Sequence, residues 1–237
     1  MSVPAAPQLA ATLLLVRDDP FEVLMIRRRA GDSFGSALVF PGGVVDPGDW
    51  EEEWIGRLAG GEGLPAEQRA LRIAAIRETY EEAGVIAAAQ GPVACAIGMG
   101  FGDALGAALL KLDALVPFGH WITPVIVARR FDTHFFLCAV SRDVEAACDG
   151  VEAIALEWAR PADLLARAEA GEQSLLFPTR MNLARLAESR SAAEALEAAR
   201  RRPIVPVLVE IERRADGILH RLPPDAGYAL SEFFTPH

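Results

Sequence analysis

The chain has 237 residues, which at about 150 residues per domain is one large domain or one domain with an appendage. With 51% hydrophobic and 24% charged residues it is globular, not disordered, and long enough to bury a core without staples. Lys+Arg 23 against Asp+Glu 33 leaves a net charge of −10, and there is no basic stretch, which excludes sequence-independent nucleic-acid binding through phosphate contacts.

Leu9–Val16 and Phe21–Ile26 are apolar runs separated by Arg17-Asp18-Asp19-Pro20, a strand–turn–strand signal. The first run is too short for the ~20 residues of a membrane span and lacks a basic region before it, so it is a strand and not a signal peptide. Ala37–Phe40 is a short apolar run ending at the turn Pro41-Gly42-Gly43. Residues 46–65 read as a loop, with a short helix around Trp54–Leu58. Glu67–Ala83 is rich in helix formers and stops at Gly84. A helical pattern is expected over Ala104–Leu115, strands over Trp121–Val127, Arg130–Val140 and Ile154–Trp158, and helices over Ala162–Ala170 and Met181–Arg200. Pro203–Glu210 and Gly217–Leu222 close the chain as strands. Strands alternating with helices predict a mixed α/β layered domain.

Cys95, Cys138 and Cys148 are odd in number, show no CxxC spacing and sit among apolar or small neighbours, so buried free thiols are expected. His120, His134, His220 and His237 are scattered without ligand spacing and receive no chemistry at this level.

The helix at 67–83 carries the chemical signal. Ile73, Ile76, Tyr80 and Ala83 recur at helical spacing and form one apolar face. Glu78, Glu81 and Glu82 centre on the opposite side, about 180° away at 3.6 residues per turn. Three like charges at this spacing repel, and they lie near the helix C-terminus, where the helix dipole also disfavours anions. An ordinary solvated face is one reading. A divalent cation held by hard oxygen ligands is the other.

Arg77-Glu78-Thr79-Tyr80-Glu81-Glu82-Ala83-Gly84-Val85 resembles the second half of the Nudix box, with Gly43 as its opening glycine and Asp49 where the family has Glu. Residues 50–76, 27 in all, stand where the family pattern has seven. A long insertion at this place is similar to the branch of peroxisomal coenzyme A diphosphatases. Val39-Phe40-Pro41-Gly42-Gly43, Trp121-Ile122-Thr123-Pro124 and Arg129-Arg130-Phe131-Asp132-Thr133 resemble the same branch. The signature for coenzyme A-cleaving members is matched at Leu24, Arg27 and Phe40–Gly43, but Asp32, Phe34 and Ser36 replace its Arg, His and Gly.

The resemblance implies a Nudix-type α/β/α sandwich with a mixed β-sheet and extra helices. It implies one domain over residues 1–237, with an insertion at about 50–66 and added segments at about 100–120 and 178–237. It also implies Mg²⁺- or Mn²⁺-dependent hydrolysis of a nucleoside diphosphate linked to another moiety. Coenzyme A or an acyl-coenzyme A leads as substrate, with ADP-ribose or a nucleotide sugar next; a non-catalytic ligand-binding protein is the reading from another class.

By family position Glu78, Glu82 and Glu81 hold the metal, and the carbonyl of Gly42 is a further ligand. Arg77 pairs with a box carboxylate and fixes its rotamer. The base is expected at Glu81 or at Glu152, with Glu157 and Glu145 as rivals. Arg27, Arg130 and Phe131, with Arg129 beside them, are the candidate substrate contacts. The terminal Thr235-Pro236-His237 is not a peroxisomal address, so a cytoplasmic setting is expected, with no membrane and no nucleic-acid partner and with a homodimer left open.

Overall fold

The run Leu13–Val16 is apolar at every position because both of its faces are covered: all four residues are at most 1% exposed. They belong to the strand at the centre of the main sheet. The structure is a computed structural model and describes residues 5–29, 37–148, 150 and 153–236. In chain order its first half holds β1 (Gln8–Arg17), β2 (Glu22–Arg28), β3 (Leu38–Val39), β4 (Gly42–Val44), α1 (Ala66–Ala83), β5 (Val85–Ala88), β6 (Gly91–Ala94), α2 (Phe101–Leu105) and β7 (Val116–Ile122). There follow β8 (Phe131–Ala139), β9 (Ala153–Ala159), α3 (Pro161–Glu169), α4 (Phe177–Leu186), α5 (Ala192–Arg201), β10 (Pro206–Leu208), β11 (Glu210–Arg214), β12 (Gly217–Arg221) and β13 (Glu232–Pro236). Short 3-10 turns cover Pro47–Trp50, Glu52–Arg57 and Leu112–Ala114.

The main sheet is mixed, in the order β10-β7-β8-β1-β2-β3, with β4 also paired to β1 and β9 to β2. β1 runs parallel to β8 and antiparallel to β2 and β4. On one face Ala11, Leu13, Leu15 and Phe136 pack against Ile73, Ile76 and Tyr80 of α1. On the other, Leu14, Val16 and Met25 pack against Met181 and Leu186 of α4 and Ala195 and Ala199 of α5. Helices on both faces of a mixed sheet make the α/β/α sandwich. β11, β12 and β13 form a separate antiparallel sheet, and β5 and β6 a hairpin.

Several expectations shift. Of the expected helix over 104–115 only Ala104 and Leu105 are α-helical, at the end of Phe101–Leu105, which stops at Gly106 with φ 55°. The backbone beyond it bonds elsewhere: Leu110 N–H donates to Arg57 O at 2.8 Å and Leu110 O accepts from Ala59 N–H at 2.8 Å. Met181–Arg200 is not one helix but parts of two. Ser191 ends the continuity because its hydroxyl accepts the Glu194 N–H at 3.2 Å, starting a new helix. The strand placed at 121–127 lies at Val116–Ile122 instead. Beyond it Thr123 Oγ1 accepts the Phe131 N–H at 3.0 Å, across a turn that leads into β8.

The inserted segment folds onto the body. Trp54 is 9% exposed, its ring centroid lies 5.3 Å from that of Phe101, and its Nε1–H donates to Gly48 O at 2.9 Å. Arg57 donates to the carbonyls of Gly106 and Gly102 at 2.6 and 3.2 Å. Trp54 and Leu58 thereby join the core beneath α1. Among the described residues no helix is long and apolar enough to cross a membrane. Cys95, Cys138 and Cys148 are free, and burial pushes the Cys138 thiol up to about 12.

Candidate active site

α1 begins after Pro65 and ends where Gly84 takes the left-handed conformation, φ 67°, its N–H donating to Tyr80 O at 2.8 Å. The apolar face read from the sequence is fully engaged, with Ile73, Ile76, Tyr80 and Ala83 at most 1% exposed. The carboxylate face is only partly open to solvent, with Glu81 46% exposed. Glu82 is 2% exposed, because the strand Gly42–Val44 lies over it.

The two glycines of that strand explain how it comes so close. A Cβ on Gly43 would stand 2.4 Å from the Glu78 carboxylate, and one on Gly42 would stand 2.5 Å from Ala11 O and 2.7 Å from Thr12 Cα. Any side chain at either position displaces the helix carboxylate or the neighbouring strand. The Gly42 N–H donates to Glu82 Oε2 at 2.8 Å, which fixes that carboxylate from the main chain. Arg28 of β2 approaches Glu82 Oε1 at 3.2 Å.

Arg77 organises the remaining acids. Its Nε donates to Asp49 Oδ1 at 3.0 Å and one NH₂ group donates to Asp49 Oδ2 at 2.9 Å, a bidentate pair. Its other NH₂ group donates to Glu78 Oε1 at 2.8 Å and Glu81 Oε2 at 2.9 Å, and the NH₂ group on Asp49 also donates to Val44 O at 3.0 Å. Asp49 is 2% exposed and also accepts the Asp46 N–H at 2.8 Å. The long insertion thus leaves Asp49 against Arg77, and the shorter side chain still meets one guanidinium edge with both of its oxygens.

Burial alone would lower the Arg77 pKa, but the hydrogen bond to Asp49 and the charges of Glu78 and Asp49 hold it above the usual guanidinium range. Burial pushes Glu78 and Glu81 up, and Arg77 offsets this only in part. These carboxylates are therefore short of positive charge even with Arg77 beside them. Oxygen donors in that condition fit a hard divalent cation, and Glu78, Glu81 and Glu82 are the residues that could hold it.

The other predicted residues that the structure describes are not part of this group. Arg27 donates to Gln173 Oε1 at 2.8 Å, whereas the next residue, Arg28, is the one beside Glu82. Strand alternation separates their directions. Arg130 donates to Thr123 O and Ala5 O at 3.0 and 2.9 Å, and Arg129 lies over the Phe131 ring at 5.0 Å. Phe131 pairs with Gln8 at the start of β1, whereas Gly42 pairs with Thr12. The offset of four positions corresponds to about 13 Å along the strand. Glu157 is paired with Arg167 at 3.0 Å, and Glu145 is exposed. Glu152, Asp32, Phe34 and Ser36 lie outside the described residues. Arg28 was not singled out in the sequence. It sits in the run Arg27-Arg28-Arg29, where only the strand register tells one arginine from the next.

The sequence pattern of the NUDIX domain matches residues 6–178. The chain belongs to the Nudix family. It is 29% identical to acyl-coenzyme A diphosphatase NUDT19 of Gallus gallus over 91% of this chain and 75% of that protein. It is 27% identical to acyl-coenzyme A diphosphatase NUDT19 of Homo sapiens over 88% of this chain and 72% of that one. A crystal structure of a NUDIX hydrolase from Alicyclobacillus acidocaldarius is similar at a TM-score of 0.67 and 30% identity, covering 81% of this chain and 96% of that one. The chain is a Nudix pyrophosphohydrolase with the Nudix α/β/α fold. The Nudix family generally uses divalent metals and acts on nucleoside diphosphate derivatives.

Proposed function

We propose that this Nudix hydrolase cleaves the diphosphate of coenzyme A or an acyl-coenzyme A, giving a phosphopantetheine product and an adenosine bisphosphate. The observation that carries the reading is the convergence of Arg77 on Asp49, Glu78 and Glu81, beside a Glu82 fixed by the Gly42 N–H. The likeness to acyl-coenzyme A diphosphatases over most of the chain points to the substrate.

In this reading Glu78, Glu81 and Glu82, with the Gly42 carbonyl, hold Mg²⁺ or Mn²⁺. The ion supplies neutralisation of the diphosphate charge and orientation of the attacking water. Arg77 is a positioning residue: it fixes the rotamers of Glu78 and Glu81 and has no donor left for substrate beyond those it already shares. Glu81, at 46% exposure the most open of the three, or Glu152 takes the proton from water. Arg28, at 22% exposure beside Glu82, is the nearer cation to a bound phosphate than Arg27. Residues 1–237 make one domain enlarged at about 50–66, 100–120 and 178–237, a view supported by the Trp54–Phe101 contact and by α5 packed on the sheet.

A second reading, ADP-ribose or a nucleotide sugar, is favoured by Asp32, Phe34 and Ser36, which depart from the coenzyme A signature. Incubating the protein and Mg²⁺ with coenzyme A, an acyl-coenzyme A, ADP-ribose and a nucleotide sugar separates the two by product. Adenosine bisphosphate release is expected. No turnover of either coenzyme A compound overturns the substrate proposed, and AMP release from ADP-ribose alone establishes the second reading.

A further inference from the structure

β7 and β8 run antiparallel with His120 directly opposite His134. Asp132 lies two residues before His134 and so shares its face of the sheet. That face is the one α1 covers, since Phe136, two residues further on, belongs to the α1 core. The two imidazoles stack with centroids 4.0 Å apart and planes 26° from parallel. His120 Nε2 hydrogen-bonds Asp132 Oδ1, and His134 Nε2 lies 3.8 Å from the same oxygen. The three donor atoms all fall within 4.8 Å of one another. Ligands at about 2.0–2.2 Å from one ion are themselves about 3–4 Å apart, so small rotamer changes would close these three around a cation.

We infer that His120, Asp132 and His134 form a second metal site, distinct from the α1 carboxylates, which takes a transition metal of the Zn²⁺ type through two imidazoles and one carboxylate. The donor set decides the class. Imidazole suits zinc and its neighbours, whereas the all-oxygen group on α1 suits Mg²⁺. Three protein ligands leave a coordination position open. The side chains are 14%, 28% and 16% exposed in the order His120, Asp132, His134, so an ion can enter while the ligands are held by strands. Burial lowers the His134 pKa to about 4, and Arg72 adds to the lowering. An imidazole binds a metal in its neutral form, a requirement that His120 and His134 share. Arg72 opposes a cation here, and the Asp132 carboxylate counters it. Gly43, Ala11, His134 and His120 occupy one row across β4, β1, β8 and β7. The site therefore lies two strands from Gly43, about 10 Å at normal strand spacing.

The test is a Co²⁺ titration of the chelator-treated full chain, followed by visible ligand-field absorption and calorimetry, with Zn²⁺ as competitor. A Zn²⁺-displaceable Co²⁺ spectrum is expected in the wild type and in Glu82→Gln. In His134→Ala and in the shape-preserving Asp132→Asn, affinity should fall by about 100-fold or more, because ligand loss exceeds the 10–100-fold typical of outer-shell partners. Absence of the spectrum in the wild type overturns the inference. So does its loss in Glu82→Gln with retention in Asp132→Asn.

Discussion

Arg77 and Asp49 stand 28 residues apart in the chain and meet through two parallel hydrogen bonds of 3.0 and 2.9 Å. The intervening segment loops out and returns, its Trp54 packed on Phe101, so the pair closes as it would across a short connection. With Asp49 2% exposed, Arg77→Ala leaves a buried carboxylate without its counter-ion. A loss of about 3–5 kcal/mol in urea unfolding is expected. Asp49→Asn in the Arg77→Ala background should recover part of it; full additivity of the two changes would mean that the pair is not coupled.

Gly42 and Gly43 should fail in different ways. A methyl on Gly42 meets main-chain atoms of Ala11 and Thr12, which cannot rotate away, so Gly42→Ala is expected to lower stability by about 1–3 kcal/mol. A methyl on Gly43 meets the end of the Glu78 side chain, which can swing aside. Gly43→Ala should therefore keep most of its melting temperature and lose activity. Equal effects of both changes on melting would contradict this division.

Glu82→Gln keeps the acceptor for the Gly42 N–H and removes the charge. Hydrolysis of the preferred substrate should fall by at least about 100-fold, since even outer-shell changes cost 10–100-fold, with little change in thermal melting. A fully active variant would remove Glu82 from the proposed metal site.

The pH behaviour of Glu78 has a definite sign. Burial raises its folded-state pKa, so its contribution to stability is fully present below the unfolded value of about 4.3 and is lost as pH rises through the folded value. In metal-free protein at pH 7 the ionised carboxylate costs stability, and Glu78→Gln should melt higher than wild type. The difference should vanish on acidification below about pH 4. Added Mg²⁺ should reverse the order by stabilising the wild type alone. Thermal melts across this range with and without Mg²⁺ check both signs, and a Glu78→Gln variant that melts lower than wild type at every pH would contradict the assignment.

Local patterns exposed the parts of this molecule that depend on near neighbours. The spacing of Ile73, Ile76 and Tyr80 marks α1, the run Arg77 to Gly84 marks the site, and Gly84 marks the helix end, because turns of a helix bring residues three and four apart together whatever surrounds them. The long apolar run of β1 likewise announces a strand, and the fold then covers it on both faces. Register and long-range pairing were not legible. Helical projection put Glu82 opposite the apolar face without saying what covers it; the strand Gly42–Val44 buries it, and which of Arg27 and Arg28 faces it follows from the pleat of β2. Met181–Arg200 looked continuous until Ser191 found a backbone N–H to cap. The histidines 120 and 134 look unrelated along the chain and become directly opposed only when β7 lies antiparallel to β8. Sequence spacing encodes what one helix or strand presents; which residues of separate strands share a site depends on sheet register, and that is set by how the whole core packs.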